Sequence, residues 1–226
     1  MNASADAVSR LRKLDACAVS DALDKLGLPS TVCHLPHRSG ARRIAGRAVT
    51  VKLVAVADAP PTTGAPRHLG TTAVMQAGTD DIIVVEQRTG LDAGSWGGIL
   101  SLAAVQRGVA GVVADGPVRD IDEARDYDLP VFCRALTART ARARVAEAGT
   151  NVPICVDGMD VHPGDYVIAD NSAVVFVAAS DIERVLAAAE QIAAREAAMA
   201  KALLAGQPVT DVMGASYEHM LHDGAA

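Results

Sequence analysis

The sequence predicts an α/β fold built on one mixed sheet, with a helix at the N-terminal end and a long helix near the C-terminal end. Three observations lead there. Short apolar runs at 81–86, 110–114 and 130–134 alternate with helical patterns at 97–107 and 121–127. That order gives parallel strands covered by helices. Residues 151–178 then change to closely spaced strand patterns divided by turn residues, which implies antiparallel pairing. An Ala-rich helical segment follows at 180–204.

Each element has its own warrant. Residues 6–26 place Val8, Leu11, Leu14, Val19, Leu23 and Leu26 at near-helical spacing, and Gly27 is a natural stop. Ser20 is a candidate cap for a second segment starting at Asp21. Residues 31–43, rich in His, Pro and Arg, read as irregular. Residues 46–57 alternate and are β-branched, hence a strand. Residues 58–67 form a Pro/Thr/Gly loop, and 71–76 a short helix. In the second half, 151–161, 165–169 and 173–178 read as strands, with turns at His162–Asp165 and Asp170–Ser172. Ser180 with Glu183 three residues on makes a capping-box pattern for the last helix, which Gly206 and Pro208 close. A short tail follows.

Composition bounds the function. A chain of 226 residues can bury one good core, so residues 1–226 are expected to fold as one domain with helical ends at about 1–27 and 180–226. Half the residues are hydrophobic but only 3% are aromatic, so small aliphatic side chains must fill that core. A net charge of −6 without clustered Lys and Arg argues against nucleic acid as the partner. Cys17, Cys33, Cys133 and Cys155 have no C-x-x-C spacing. They read as buried or half-buried thiols in a reducing cytoplasm rather than a zinc site. The first 13 residues hold no apolar run, and no stretch reaches the ~20 apolar residues that span a bilayer.

The chemistry concentrates between Gly90 and Arg134. Gly94, Gly97 and Gly98 precede a helix, whose free N–H groups and positive dipole end suit a carboxylate or phosphate. An ordinary tight turn explains the same glycines, and the pattern is not G-x-G-x-x-G. The segment Asp115–Asp120 follows a buried strand, where parallel sheets place ligands. Arg119 offers a planar fork of donors for a carboxylate or enolate oxygen. Asp120 offers a hard oxygen ligand of the kind Mg²⁺ prefers. A local ion pair with a capping Asp is the plainer alternative. Asp122, Asp126 and Asp128 read as a solvated helix face. Glu123, within one turn of Asp120, is placed to share a metal-bound water. His34, His37, His68, His162, His219 and His222 are scattered, with no H-E-x-x-H and no G-x-S-x-G elbow. Trp96 reads as a packing anchor beside the glycines.

These residues carry a resemblance. The run 97–107, then Gly108–Asp120 (GVAGVVADGPVRD) and Leu129–Phe132 (LPVF), resembles the central signature of the RraA-like family. Val19–Leu23, Gly46–Val51 and Val161–Asp170 resemble its N-terminal helix, first strand and late hairpin. The family includes class II 4-hydroxy-4-methyl-2-oxoglutarate and 4-carboxy-4-hydroxy-2-oxoadipate aldolases, and the RraA regulators that inhibit ribonuclease E. The resemblance implies a swivelling β/β/α core in homotrimers or homohexamers, with sites at subunit interfaces. By resemblance Asp120 binds Mg²⁺ or Mn²⁺, with Glu123 acting through water and Glu196 contributed by a neighbouring subunit. Arg119 contacts the keto oxygen of a small 2-oxo acid. The turn at Gly97 and Gly98 and the backbone N–H groups of Ile99 and Leu100 hold its carboxylate.

One departure stands out. The aldolases carry an acidic residue ahead of the Arg, with twenty residues between the two, and that position here is Gly98. The acid is thought to hold metal-bound water and assist proton transfer, worth about 10²–10⁴-fold in rate. His34, His37 and Arg67 are candidates to replace it, though no spacing singles one out. The expected activity is a metal-dependent lyase, by retro-aldol cleavage or decarboxylation through pyruvate enolate. The alternatives are a hydrolase or hydratase acting on a lactone or enol acid in the same pocket, and a non-catalytic binding protein.

Overall fold

The computed structural model describes residues 3–29, 31–61 and 67–214. The tail expected after Pro208 lies partly, and His219 and His222 wholly, outside them. The N-terminal segment is two helices rather than one: α1 (Ala3–Leu11) and α2 (Ala16–Lys25). The break falls at Asp15, not at Ser20. Asp15 is extended, and its Oδ1 accepts the Ala18 N–H at 2.8 Å, while the Ala16 N–H reaches Asp170 Oδ2 at 2.9 Å. These bonds satisfy helix-start donors that have no intrahelical partner, so the chain restarts there. Gly27, at φ 63°, ends α2, with the Leu28 N–H returning to Leu23 O at 3.0 Å.

Two short edge strands, β1 (Val32–Cys33) and β2 (His37–Ser39), form inside the stretch expected to be irregular. The long β3 (Ile44–Ala55) leads into a 3₁₀ turn at Val56–Asp58. Then come α3 (Thr71–Gln76), β4 (Asp81–Glu86), α4 (Gly98–Gln106), β5 (Gly111–Val118), α5 (Ile121–Asp126) and β6 (Val131–Leu136). A strand that the sequence pattern did not signal, β7 (Val145–Thr150), follows. The hairpin β8 (Ile154–Val156) and β9 (Met159–Val161) turns through Asp157 and Gly158, both at positive φ. The sheet ends with β10 (Tyr166–Ala169) and β11 (Val174–Val177), and α6 (Ile182–Leu204) and α7 (Val209–Val212) close the described chain. The expected Ser180 capping box does not form. The helix starts one residue later, at N-cap Asp181, so Glu183 falls at the second helical position and pairs with Arg10 at 2.8 Å.

The main sheet runs β1-β11-β10-β3-β4-β5-β6-β2, with β7 also on β3. The β3-β4-β5-β6 centre is parallel and the flanking pairs are antiparallel. β3 joins the halves: its start pairs β10 and its end pairs β7. One face carries a core under α3 and α4 that includes Trp96 and Leu100. A second core joins α1, α2 and α6 to β10 and β11, and a third lies under the β8–β9 hairpin. No helix among the described residues is long and apolar enough to cross a membrane.

Candidate functional site

The site is built where β5 ends beside the start of α4. β5 continues past its expected end through Asp115, Gly116 and Pro117 to Val118, so only Arg119 and Asp120 remain as the corner before α5. Gly116 permits this extension: a Cβ there would lie 2.7 Å from Gln87 Cβ and 2.9 Å from Gln87 O. The corner is locked to the glycine-rich turn. The Arg119 N–H donates to Trp96 O at 3.1 Å, and both Ser95 N and Ser95 Oγ donate to Pro117 O at 2.8 Å.

Asp120 sits in the left-handed region at φ 56° and ψ 44°, a conformation that costs a non-glycine residue about 1–2 kcal/mol. It occupies the N-cap position of α5 but does not cap it. Its Oδ2 instead accepts the Gly98 N–H of α4 at 3.1 Å, and its Oδ1 accepts Arg119 Nε at 3.1 Å. The ion pair weighed as the plainer alternative therefore exists, but its carboxylate is aimed at a second helix. The first hydrogen bond within α4 runs from the Ser101 N–H to Gly97 O, so the N–H groups of Ile99 and Leu100 precede it.

A cavity of about 140 Å³ opens here. Arg119, Asp120, Gly97, Gly98, Ile99 and Leu100 all border it. Trp96 forms a wall as a fully buried anchor, its Nε1 donating to Ser101 Oγ at 3.0 Å. His68 and Leu69 also line the cavity. Ile99, which borders the cavity, is 82% exposed.

Other expected residues fall elsewhere. Glu123 is exposed on α5 and does not line the cavity, but its Cβ is 3.3 Å from where a Gly98 Cβ would stand. Glu196 lies on α6, where burial, Asp15 and Asp21 push its carboxyl pKa up. It is not among the cavity's lining residues in the same chain. His37 stacks on Phe132 at 4.2 Å, and the His34 backbone bonds Asp157. Neither they nor Arg67 line the cavity, whereas His68 does. The turn that carries His68 is seated here through Gly70, two residues on at the start of α3. Gly70 has φ 76°, and a Cβ there would lie 3.2 Å from both Trp96 Cζ3 and Leu100 Cδ1.

The Aldolase/RraA family model matches residues 16–176, which span this whole arrangement. The chain belongs to the RraA-like family. A Halalkalibacterium halodurans protein named "Putative 4-hydroxy-4-methyl-2-oxoglutarate aldolase" is 29% identical over 203 residues, covering 89% of this chain and 90% of that protein. Protein DlpA of Legionella pneumophila is 25% identical over 179 residues, covering 79% of this chain but only 28% of DlpA. The crystal structure of an uncharacterized protein from Pseudomonas syringae pv. tomato superimposes with a TM-score of 0.81 at 25% identity, covering 93% of this chain and 98% of that one.

This RraA-like chain has a second, larger cleft of about 560 Å³ along the last residues of β5 and β6 and the segment after β4. Asp115, 1% exposed, is its anchor. Its Oδ1 accepts Arg134 Nε at 2.5 Å, its Oδ2 accepts the Asp157 N–H at 2.7 Å, and Arg88 stands 3.7 Å away. Arg134 also bonds Asp157 at 2.8 Å and holds that carboxyl below its ordinary pKa. Burial and these two aspartates push the nearby Cys33 thiol up to about 12. Cys33 and Cys133 are buried and Cys155 is half-buried, as expected, but Cys17 is exposed on α2.

Proposed function

We propose that this RraA-like protein is a divalent-metal-dependent lyase acting on a small 2-oxo acid, cleaving it by retro-aldol reaction or decarboxylation. The observation that carries the reading is the Arg119–Asp120 corner, held against the first N–H group of α4 in a small cavity. Among the described residues no three His, Cys, Asp or Glu side chains gather as a metal-binding group. A cation held entirely by this chain therefore does not fit. A hard cation such as Mg²⁺ or Mn²⁺, held by one carboxylate with waters and substrate completing its shell, does. Each Asp120 oxygen accepts one hydrogen bond in the structure and keeps lone-pair capacity. Glu123 would act through water, and Glu196 would come from a neighbouring subunit of a homotrimer or homohexamer. Bound there, the cation supplies Lewis-acid polarisation of the substrate's keto oxygen.

The chain's own groups do the rest. The N–H groups of Ile99 and Leu100, at the positive end of α4, bind the substrate carboxylate. Arg119 spends Nε on Asp120 and keeps its terminal nitrogens for the keto oxygen. When the C3–C4 bond, one carbon beyond that carbonyl, breaks, negative charge grows on the keto oxygen, and the fixed guanidinium stabilises it. Trp96 and Leu69 keep one wall dry.

The test is pyruvate release from oxaloacetate and from 4-hydroxy-4-methyl-2-oxoglutarate, with Mg²⁺ or Mn²⁺ and then with EDTA. Metal-dependent release that Asp120→Ala lowers at least 100-fold is expected. No release from either substrate, beside a family aldolase active in the same assay, refutes the lyase and leaves hydration or hydrolysis of an enol acid or lactone, or a binding role.

A further inference from the structure

We propose that His68 is the acid–base group of this cavity, moving the proton that an acidic side chain at position 98 would handle; this rests on the lyase reading above. Among the described residues that line the cavity, the ionisable side chains are His68, Arg119 and Asp120. Arg119 does not give up a proton in proteins. Asp120 is the ligand proposed for the cation, and a carboxylate holding a cation does not carry the proton as well. Gly98 has no side chain. Elimination leaves His68.

The hydrogen bonds of His68 set its tautomer. Its Nδ1 lies 3.0 Å from Leu69 O, and a carbonyl oxygen can only accept. In the neutral ring the proton therefore sits on Nδ1, and Nε2 holds the lone pair of a base. The backbone under the ring is fixed. The His68 carbonyl accepts Thr71 Oγ1 at 2.7 Å and Thr71 N–H at 3.3 Å. Leu69 is buried in the core, and the Gly70 N–H donates to Glu147 Oε2 at 2.7 Å. Gly70 in turn packs on Trp96 and Leu100, so the His68 turn rests directly on the start of α4. The turn that carries the base is thus locked to the substrate-binding helix end, and His68 lines the cavity from it, which limits the movement proton transfer must wait for.

The chemistry balances without a further reagent. Nε2 takes the proton of the C4 hydroxyl. That oxygen's electron pair becomes the C=O of the departing keto acid. The C3–C4 bond breaks, and its pair enters the enolate of the other fragment. The imidazolium then returns its proton to the enolate carbon, which becomes the methyl group of pyruvate. Decarboxylation of oxaloacetate breaks a bond to a carboxylate instead and needs no base for its first step. Solvent can protonate the resulting enolate.

His68→Asn keeps an amide donor for Leu69 O but has no base. The expected result is a fall of about 10²–10⁴-fold in pyruvate formation from 4-hydroxy-4-methyl-2-oxoglutarate. Oxaloacetate decarboxylation and Mn²⁺ affinity should stay within a few-fold. Added imidazole should partly restore aldol cleavage by His68→Ala. Aldol cleavage at the wild-type rate in His68→Asn overturns the inference, and so does an equal loss on both substrates with weakened Mn²⁺ binding. A wild-type enzyme that decarboxylates oxaloacetate, yet neither cleaves the aldol nor exchanges the methyl protons of pyruvate in D₂O, also overturns it while the lyase reading stands. A wild-type enzyme that releases no pyruvate at all overturns both.

Discussion

Replacing Gly97 by alanine moves the Asp120 carboxylate without touching a charge. Gly97 has φ −159° and ψ −178°, extended backbone that any residue adopts, so the substitution adds no backbone strain. The added Cβ would lie 3.0 Å from Asp120 Oδ2 and 3.3 Å from Arg119 Cγ. Ordinary contact begins near 3.4 Å, so Oδ2 must retreat by a few tenths of an ångström. Its hydrogen bond from the Gly98 N–H is already 3.1 Å, near the long end of the normal range, and the retreat breaks it. A hydrogen bond to a charged group contributes about 1.5–3 kcal/mol. The Asp120 side chain is 33% exposed, so water recovers part of that and a net loss of about 1 kcal/mol remains. For a chain of this length that lowers Tm by about 2–4 °C. Displacement of the proposed metal ligand should also weaken Mn²⁺ binding about tenfold, equivalent to about 1.4 kcal/mol. Thermal unfolding and titration calorimetry with Mn²⁺ measure both. Asp120→Asn is the control, since its amide oxygen can still accept from Gly98 while the charge is gone. It also loses the acceptor for Arg119 Nε, so it should lose Mn²⁺ affinity more severely than Gly97→Ala while keeping the Gly98 bond. A Gly97→Ala protein with unaltered Tm and Mn²⁺ affinity refutes the reasoning that the carboxylate is held in place by this contact.

Two further predictions concern the scaffold. Asp115→Ala removes a buried carboxylate that bonds Arg134 and the Asp157 N–H; breaking a buried pair costs about 3–5 kcal/mol, but the half-exposed Arg134 can turn to water, so about 2 kcal/mol is expected. A melting temperature within 1 °C of wild type would show that Asp115 is no anchor. Glu190, held by Arg10 at 2.7 Å, has its carboxyl pKa lowered from 4.5 by that bond. A depressed folded-state value means the pair's stabilisation is present above pH 4.5 and disappears as pH falls through the lower value. Glu190→Gln should therefore cost less than about 1 kcal/mol at neutral pH, because the pair is partly exposed, and its stability should fall less steeply than wild type below pH 4.5. Parallel stability–pH curves in acid would show that this bond does not contribute.

The parallel centre was legible because its strands are buried on both faces and read as unbroken apolar runs, as at Asp81–Glu86. What escaped was structure imposed by neighbours. β1 and β2 are two or three residues long, and β7 (VAEAGT) has little β character, yet each completes the hydrogen bonding of a longer strand. The Asp15 break depended on Asp170, which is far along the chain. In the site, Arg119, Asp120 and the α4 start were readable because strand-end loops and glycine turns are local features. His68 was not, since it reaches the cavity only through the packing of Gly70 on Trp96. Nor was the bond from Asp120 to Gly98, which crosses from one helix start to another.

That bond gives the glycine at 98 a physical meaning. A Cβ on residue 98 would meet Asp120 Cβ at 3.2 Å and Glu123 Cβ at 3.3 Å, tighter than nine in ten real contacts. Any side chain there must push the 119–123 corner away from α4. A carboxylate would add repulsion against Asp120, which already stands at the positive end of that helix, where an anion contributes about 0.3–1 kcal/mol. The glycine at 98 and the contact of Asp120 with the start of α4 are thus one close approach seen from its two sides. With that space closed, a proton-transfer group would have to come from elsewhere in the cavity lining. His68, on the turn before α3, lines the same cavity.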